Sequence, residues 1–149
     1  LAAVPEDGRL TTALRPLPHP GPGQVDYGSA PAAFAGPTCT CSMAVCRERR
    51  DRPGHQIVGT IEALGQGVTR LAQGQGVGVT WLARACGHCA FRQDGLENLY
   101  EAARFTCWTQ DGGFAQMALA QAAFCPPIPE AFTDLGAAPL SRRPIAFCV

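Results

Sequence analysis

Glycine and proline interrupt this chain so often that they leave little room for helices. The 149 residues include 17 glycines and 13 prolines; glycine favours turns, and proline removes a backbone donor. Between them lie short runs in which apolar and polar side chains alternate, the pattern of a half-buried strand. Short strands joined by glycine- and proline-rich turns predict a small, mostly β barrel or sandwich.

Three segments carry most of the strand signal. In residues 55–64 successive side chains point to opposite faces, as expected of a strand. Residues 76–82 predict a second strand, whose glycines indicate bulges or a close approach of another backbone. Residues 114–119 predict a third strand, which follows a turn at Asp111-Gly112-Gly113. A short helix is expected from about Phe132, with Thr133 or Asp134 as its N-cap.

The first third of the chain has no comparable pattern. Residues 1–24 are proline-rich, which favours extended backbone, and residues 26–52 show neither the period of a strand nor that of a helix. A loop of that length is unusual inside a compact domain. We therefore expect residues 1–52 to be an irregular segment of the domain that continues after them.

The charge balance excludes several function classes. Lys and Arg together number 12, as do Asp and Glu, so no net field favours nucleic acid or acidic membranes. No apolar run is long enough to span a bilayer, and no signal-peptide pattern is present. We expect a cytoplasmic protein without a membrane or nucleic-acid partner. Its eight cysteines are then thiols or metal ligands rather than a disulfide framework.

Two features carry candidate metal chemistry. His55 follows a glycine at the head of the predicted strand, where a ligand-type side chain could project. Cys86-Gly87-His88-Cys89 places two cysteines at the spacing of half a tetrahedral zinc site. From these residues alone, His55 could equally be a half-buried strand histidine, and the two cysteines could be free thiols. A small metal- or thiol-binding module is thus one interpretation.

Six segments of the sequence resemble, in order and spacing, the GroES-like catalytic domain of the zinc-dependent alcohol dehydrogenases, in the medium-chain dehydrogenase family. These segments are residues 18–25, 53–59, 65–69, 86–89, 111–115 and 127–130. The resemblance implies a partly open, mostly β barrel with a cysteine-containing lobe over residues 53–140. It also implies oxidation of a small alcohol to an aldehyde or ketone with zinc and NAD(P), and it leaves open a homo-oligomer in a full-length parent.

The resemblance assigns metal-site residues one by one. His55 matches a histidine ligand of the family's catalytic zinc. Cys86 and Cys89 match two of the four cysteines around its structural zinc, whereas the other two positions hold Arg92 and Tyr100. We therefore take His55, Cys86 and Cys89 as candidate metal ligands and expect weak zinc affinity at the two cysteines. No catalytic or cofactor-binding residue is assigned.

Two further ligands of the family's catalytic zinc are cysteines, and they fall on Ala35 and Arg142. The genetic code offers a reason for the first. The codons permitted for residues 29–43, when read one base early, include the sequence VSACGVCRTDLHVLD, which resembles the family's motif around that cysteine. We infer a frameshift that begins near Asp26 and is corrected before Pro53.

The resemblance ends after residue 140. Residues 141–149 are interpreted as an aberrant tail, and the NAD(P)-binding domain of the family is not expected within this sequence. Two hypotheses follow: a catalytic-domain fragment of a zinc-dependent alcohol dehydrogenase, or a non-catalytic β-barrel remnant without bound zinc. On either hypothesis we expect this chain alone to be inactive towards alcohols.

Overall fold

The computed structural model describes residues 1–6, 9–16, 19–29, 54–55, 57–86, 88, 90–96 and 99–138. These residues form eight strands: β1 (Ala2–Glu6), β2 (Arg9–Ala13), β3 (Gln24–Ser29), β4 (Ile57–Leu64), β5 (Gly76–Val79), β6 (Leu82–Arg84), β7 (Arg104–Phe105) and β8 (Met117–Gln121). They also form two short helices, α1 (Ala90–Gln93) and α2 (Asp134–Ala137), and one 3-10 turn, Ala122–Phe124.

The largest sheet has the strand order β5-β4-β3-β8, and all of its neighbouring strands are antiparallel. Strands β1 and β2 form a separate hairpin, while β6 pairs with β7. The prediction of a mostly β fold is therefore confirmed. We call the described part of residues 81–110, which contains β6, α1 and β7, the lobe.

One face of the four-stranded sheet carries the main core. Its most buried members are at most 2% exposed: Val25, Tyr27, Ile57, Ile61, Val77 and Cys125. Burying side chains of this size stabilises a fold by about 1.5–3 kcal/mol each. Val58, the neighbour of Ile57 in β4, packs with Ala137 and Ala138 in a second cluster, because successive strand residues point to opposite faces. The sheet is thus covered on both sides at β4.

The pairing of β3 with β4 contains a bulge. Asp26 pairs with Ala63 and Tyr27 pairs with Ile61, so Glu62 is an extra residue in β4. The two strands also approach closely at Gly59, where a Cβ atom would collide with the carbonyl oxygen of Gly28. Glycine at position 59 therefore permits this close approach of the two strands, whereas the sequence had indicated such an approach for the glycines of residues 76–82.

Predicted and observed elements agree where the local signals were strong. The strand expected at residues 55–64 begins at Ile57, and the helix expected near Phe132 begins at Asp134 with Thr133 as its N-cap. The single strand expected at residues 76–82 is instead divided into β5 and β6. The Thr80 hydroxyl donates to the Leu82 carbonyl (2.7 Å) and so stabilises a bend between them.

The N-terminal part contains more regular structure than the sequence suggested. The hairpin β1-β2 and strand β3 lie in the segment expected to be irregular. Pro5 is compatible with a two-stranded hairpin because each strand has an unpaired side on which no amide hydrogen is required. Most of the segment that carries the frameshift prediction, residues 30–53, lies outside the described residues, as does the tail.

A chain segment without regular structure covers the outer edge of β5. The amides of Thr80 and Gly78 donate to the carbonyls of Phe124 (3.3 Å) and Pro126 (3.0 Å). The amide of Ile128 returns a hydrogen bond to Gly76 (2.9 Å), and Val77 forms a bridge with Pro127. Residues 124–128 therefore take the place of a further strand at this edge.

Candidate metal centre

His55 lies two residues before β4 and is half-buried. It follows Gly54, whose φ of 100° is in the region that side-chain-bearing residues rarely adopt. Gly54 itself is buried. The backbone therefore turns sharply just before His55 and then enters the central sheet.

A distant turn contacts the chain on both sides of His55. The amide of Gly113 donates to the carbonyl of Gly54 (2.9 Å). A Cβ atom at Gly54 would collide with the ring of Phe114, and one at Gly113 would collide with the side chain of Ile57. The sequence indicated a turn at Gly112-Gly113 but gave no sign of its contact with the histidine.

The two candidate cysteines lie in the lobe. Cys86 follows β6 by two residues and is half-buried, and His88 is exposed. Cys89 lies outside the described residues, so the predicted proximity of Cys86 and Cys89 stays a prediction. Of the two positions that replace cysteines in the resemblance, Tyr100 is half-buried. The side chain of Arg92 lies outside the described residues.

A buried hydrogen bond attaches the lobe to the end of β5. The Thr106 hydroxyl donates to the Thr80 carbonyl (2.9 Å), and both threonines are buried. Within the lobe, the tilted rings of Trp81 and Phe105 contact each other with their centroids 4.5 Å apart. These contacts fix the base of the lobe, whereas its outer apolar side chains are exposed.

Among the residues that the structure describes, no three His, Cys, Asp or Glu side chains come together to hold a metal ion. A catalytic zinc site usually has three protein ligands and a structural site four. The described residues therefore do not supply a complete set of zinc ligands by themselves, and neither His55 nor Cys86 belongs to a group of three among them. The remaining positions matched by resemblance, at residues 35, 89 and 142, lie outside them.

One buried acid went unnoticed in the sequence. Asp26 in β3 is 4% exposed, and its Oδ1 atom has no hydrogen-bond partner among the described residues. Burial raises the pKa of this carboxyl, and the charge of Glu62 raises it further, while the backbone of Tyr27 and the charge of His19 act in the opposite direction. Asp26 was assigned to the irregular segment, so nothing in its pattern indicated a buried strand position.

None of the described helices is both long and apolar enough to cross a membrane.

Comparison with known proteins identifies related sequences. The family model of the alcohol dehydrogenase GroES-like domain matches residues 39–130, more than half of the chain. An alcohol dehydrogenase of Moraxella sp. (strain TAE123) is 42% identical over 88 residues, covering 59% of this chain and 26% of that protein. An alcohol dehydrogenase of Rhizobium meliloti (strain 1021) is 36% identical over 143 residues, covering 93% of this chain and 42% of that protein.

Solved structures resemble the fold over nearly its whole length. A short chain alcohol dehydrogenase from E. coli CFT073, complexed with the cofactor NADH, matches with a TM-score of 0.72 and 26% identity, covering 92% of this chain and 40% of that one. The structure of AibC matches with a TM-score of 0.79 and 24% identity, again covering 92% of this chain and 40% of that one. The chain thus spans less than half the length of these relatives.

Proposed function

This chain belongs to the alcohol dehydrogenase GroES-like domain family, and from that premise we propose that it is the catalytic-domain part of a zinc-dependent alcohol dehydrogenase. The parent activity is the oxidation of a small alcohol to an aldehyde or ketone with NAD or NADP. The placement of His55 supports this proposal, because the matched segment puts a half-buried histidine at the entry to the central sheet. Cytoplasmic location and a homo-oligomeric parent belong to the same proposal.

Zinc in such an enzyme polarises the alcohol oxygen and favours hydride transfer to the nicotinamide. In this chain His55 is the described candidate for that zinc, while the matched positions Ala35 and Arg142 carry no usual zinc ligand. We therefore assign no reaction step to zinc here. The absence of zinc ligands at positions 35 and 142 favours a second candidate function for the chain in its present sequence. This candidate is a non-catalytic β-barrel remnant.

The domain boundaries are part of this proposal. We propose that residues 53–140 form the GroES-like domain, that residues 1–52 belong to it as a partly degenerate segment, and that residues 141–149 are an aberrant tail. Sequencing the gene across codons 25–52 tests the frameshift directly. An independent copy of the gene with the same frame throughout this stretch would remove the explanation for Ala35.

Restoring the early reading frame tests the assignment of His55. The restored chain gains a cysteine at position 35, so we expect its zinc affinity to exceed that of the present chain and to fall on His55→Ala. His19→Ala, which changes an exposed histidine outside both candidate sites, is the matched control and should leave the affinity unchanged. Affinity that does not depend on His55 would contradict its role as a ligand.

Zinc content tests the cysteine pair separately. We expect the purified chain to hold less than one equivalent of zinc after mild chelation, because Arg92 and Tyr100 replace two thiolates. The same preparation should not reduce NAD or NADP with simple alcohols. One equivalent of tightly held zinc that is lost on Cys86→Ser would show instead that the lobe forms a complete site.

A further inference from the structure

We propose that the turn formed by Gly113 and Phe114 is a positioning element for His55, and that it acts by holding the backbone on both sides of this residue. The inference rests on the proposed function in one respect, since His55 is a candidate ligand only within that function. The contacts themselves, however, are properties of the described residues and do not depend on a metal.

The first contact precedes His55. The amide of Gly113 donates to the Gly54 carbonyl (2.9 Å), and the ring of Phe114 lies so close to the Gly54 α-carbon that no Cβ atom fits between them. The φ of 100° at Gly54 is therefore held by a hydrogen bond and by an aromatic ring together. This contact sets the direction in which the chain enters His55.

The second contact follows His55. The side chain of Ile57 packs against the α-carbon of Gly113, leaving no space for a Cβ atom there. Ile57 is 1% exposed and belongs to the main core, so it cannot move without disturbing packing in the sheet. The turn thereby connects the backbone before His55 to the rigid strand after it.

Glycine at position 113 is essential to this arrangement. Any side chain there would push the turn away from Ile57 and, with it, the amide that reaches Gly54. A ligating imidazole has to be held in one orientation, and the turn restricts the backbone from which this imidazole projects.

The histidine signals in NMR spectra test this proposal on the intact chain. The protein has three histidines, His19, His55 and His88, and loss of one signal in His55→Gln assigns the central one. Spectra are recorded at a fixed pH above the usual imidazole pKa, so that protonation does not contribute. We expect Gly113→Ala and Phe114→Leu to shift or broaden the His55 ring signal while the signals of the two exposed histidines stay in place.

Gly76→Ala is the matched control. A Cβ atom at Gly76 meets none of the described atoms within 4 Å, so this variant should leave all three signals unchanged. Combining Gly113→Ala with Ile57→Ala removes the three colliding atoms of the Ile57 side chain and should move the His55 signal back towards its wild-type position. A His55 signal that is identical in wild type, Gly113→Ala and Phe114→Leu would overturn the proposal.

Added zinc separates this inference from the proposed function. If His55 binds zinc, its signal responds to the ion in the wild type, and the response in Gly113→Ala should require about tenfold more zinc, a typical effect of losing outer support for a ligating histidine. If the signal ignores zinc both in the wild type and in the chain with the restored reading frame, the ligand role of His55 fails. The spectra without zinc then still decide whether the turn positions His55. If Gly113→Ala does not fold, the spectrum of Phe114→Leu decides the same question.

Discussion

The four-stranded sheet and the lobe are stabilised in different ways. In the sheet, Val25 and Val77 are completely buried, and strands that are distant in sequence share one core. In the lobe, Leu82 and Ala83 are buried near the base, but Leu99 and Trp108 are 54% and 48% exposed. Burial of apolar side chains can therefore stabilise the sheet. Much of the lobe's apolar surface is exposed to water and contributes little to the free energy of folding.

The difference matters for the metal proposals. A loop-like segment with few buried side chains is the kind that a structural zinc ion stabilises in other proteins, by an apparent 10 kcal/mol or more. His55, in contrast, enters a strand whose position the core already determines. We therefore expect changes in the cysteine pair to alter the lobe and changes in the core to alter the whole fold.

The largest effect is expected for a core substitution. Ile61 is 1% exposed, and Ile61→Ala should lower the free energy of unfolding by about 2–5 kcal/mol, through lost burial and the cavity left behind. Leu99→Ala in the lobe should change it by less than about 0.5 kcal/mol. Urea unfolding with unchanged m-values measures both; equal losses would show that the two regions are stabilised alike.

A stabilising effect is expected at Asp26. Because its Oδ1 is buried without a partner in the part of the chain that the structure describes, Asp26→Val should raise the free energy of unfolding at neutral pH by about 1–3 kcal/mol, the usual cost of such a group. Asp26→Asn removes the charge but keeps a polar group, so it should raise the free energy of unfolding by less than Asp26→Val does. A destabilised valine variant in the same urea experiment would contradict this account of the sheet.

The same acid should make the sheet sensitive to pH. Burial raises the pKa of Asp26 in the folded state, with Glu62 adding to the effect and His19 opposing it. Folding therefore favours the protonated acid, and its contribution to stability is present below the ordinary aspartate pKa and lost as pH rises through the folded pKa. Asp26→Asn should abolish this part of the pH dependence, whereas Glu62→Gln should keep its sign and reduce it.

A smaller effect is expected at the base of the lobe. Thr106→Val removes the hydrogen bond to the Thr80 carbonyl and should lower the free energy of unfolding by about 1 kcal/mol. Thr69→Val, at an exposed threonine, is the matched control and should have almost no effect. If both variants unfold at the same urea concentration, the hydrogen bond does not hold the lobe to the sheet.

Cysteine labelling should separate the two regions without changing stability. Burial raises the pKa of the Cys125 thiol to about 12, and its Sγ atom donates to the Gln121 carbonyl (3.3 Å). Since the thiolate is the reactive form, iodoacetamide should modify half-buried Cys86 first and Cys125 only when the sheet opens. Mass spectrometry locates the label, and equal rates in the folded protein would contradict this order.

Sequence patterns predicted those elements whose signals are local. Alternation marked β4, and a threonine in front of an acid marked the start of α2. The break between β5 and β6 escaped prediction because it depends on Thr80, whose amide and hydroxyl both reach Phe124, far away in the sequence. The strand position of Asp26 was not predicted for a similar reason, since the apolar side chains that bury it come from other strands.

The candidate site was predictable only in part. A motif identified His55, and the family it indicated is confirmed by the match over residues 39–130. The contact of Gly113 with Gly54 and Ile57 was not predictable, because a glycine in a turn has the same pattern whether or not another segment packs against it. The metal-ligand assignments at His55, Cys86 and Cys89 stay predictions.

The segment that lies along β5 also affects how molecules meet one another. An unpaired strand edge is a template on which a second chain can add, leading to aggregation. Residues 124–128 occupy that edge, and because Pro126 and Pro127 have no amide hydrogen, the segment offers fewer donors to a further strand. At this edge the chain thus limits sheet extension with two prolines and no added charge, which favours a dispersed molecule over an aggregated one.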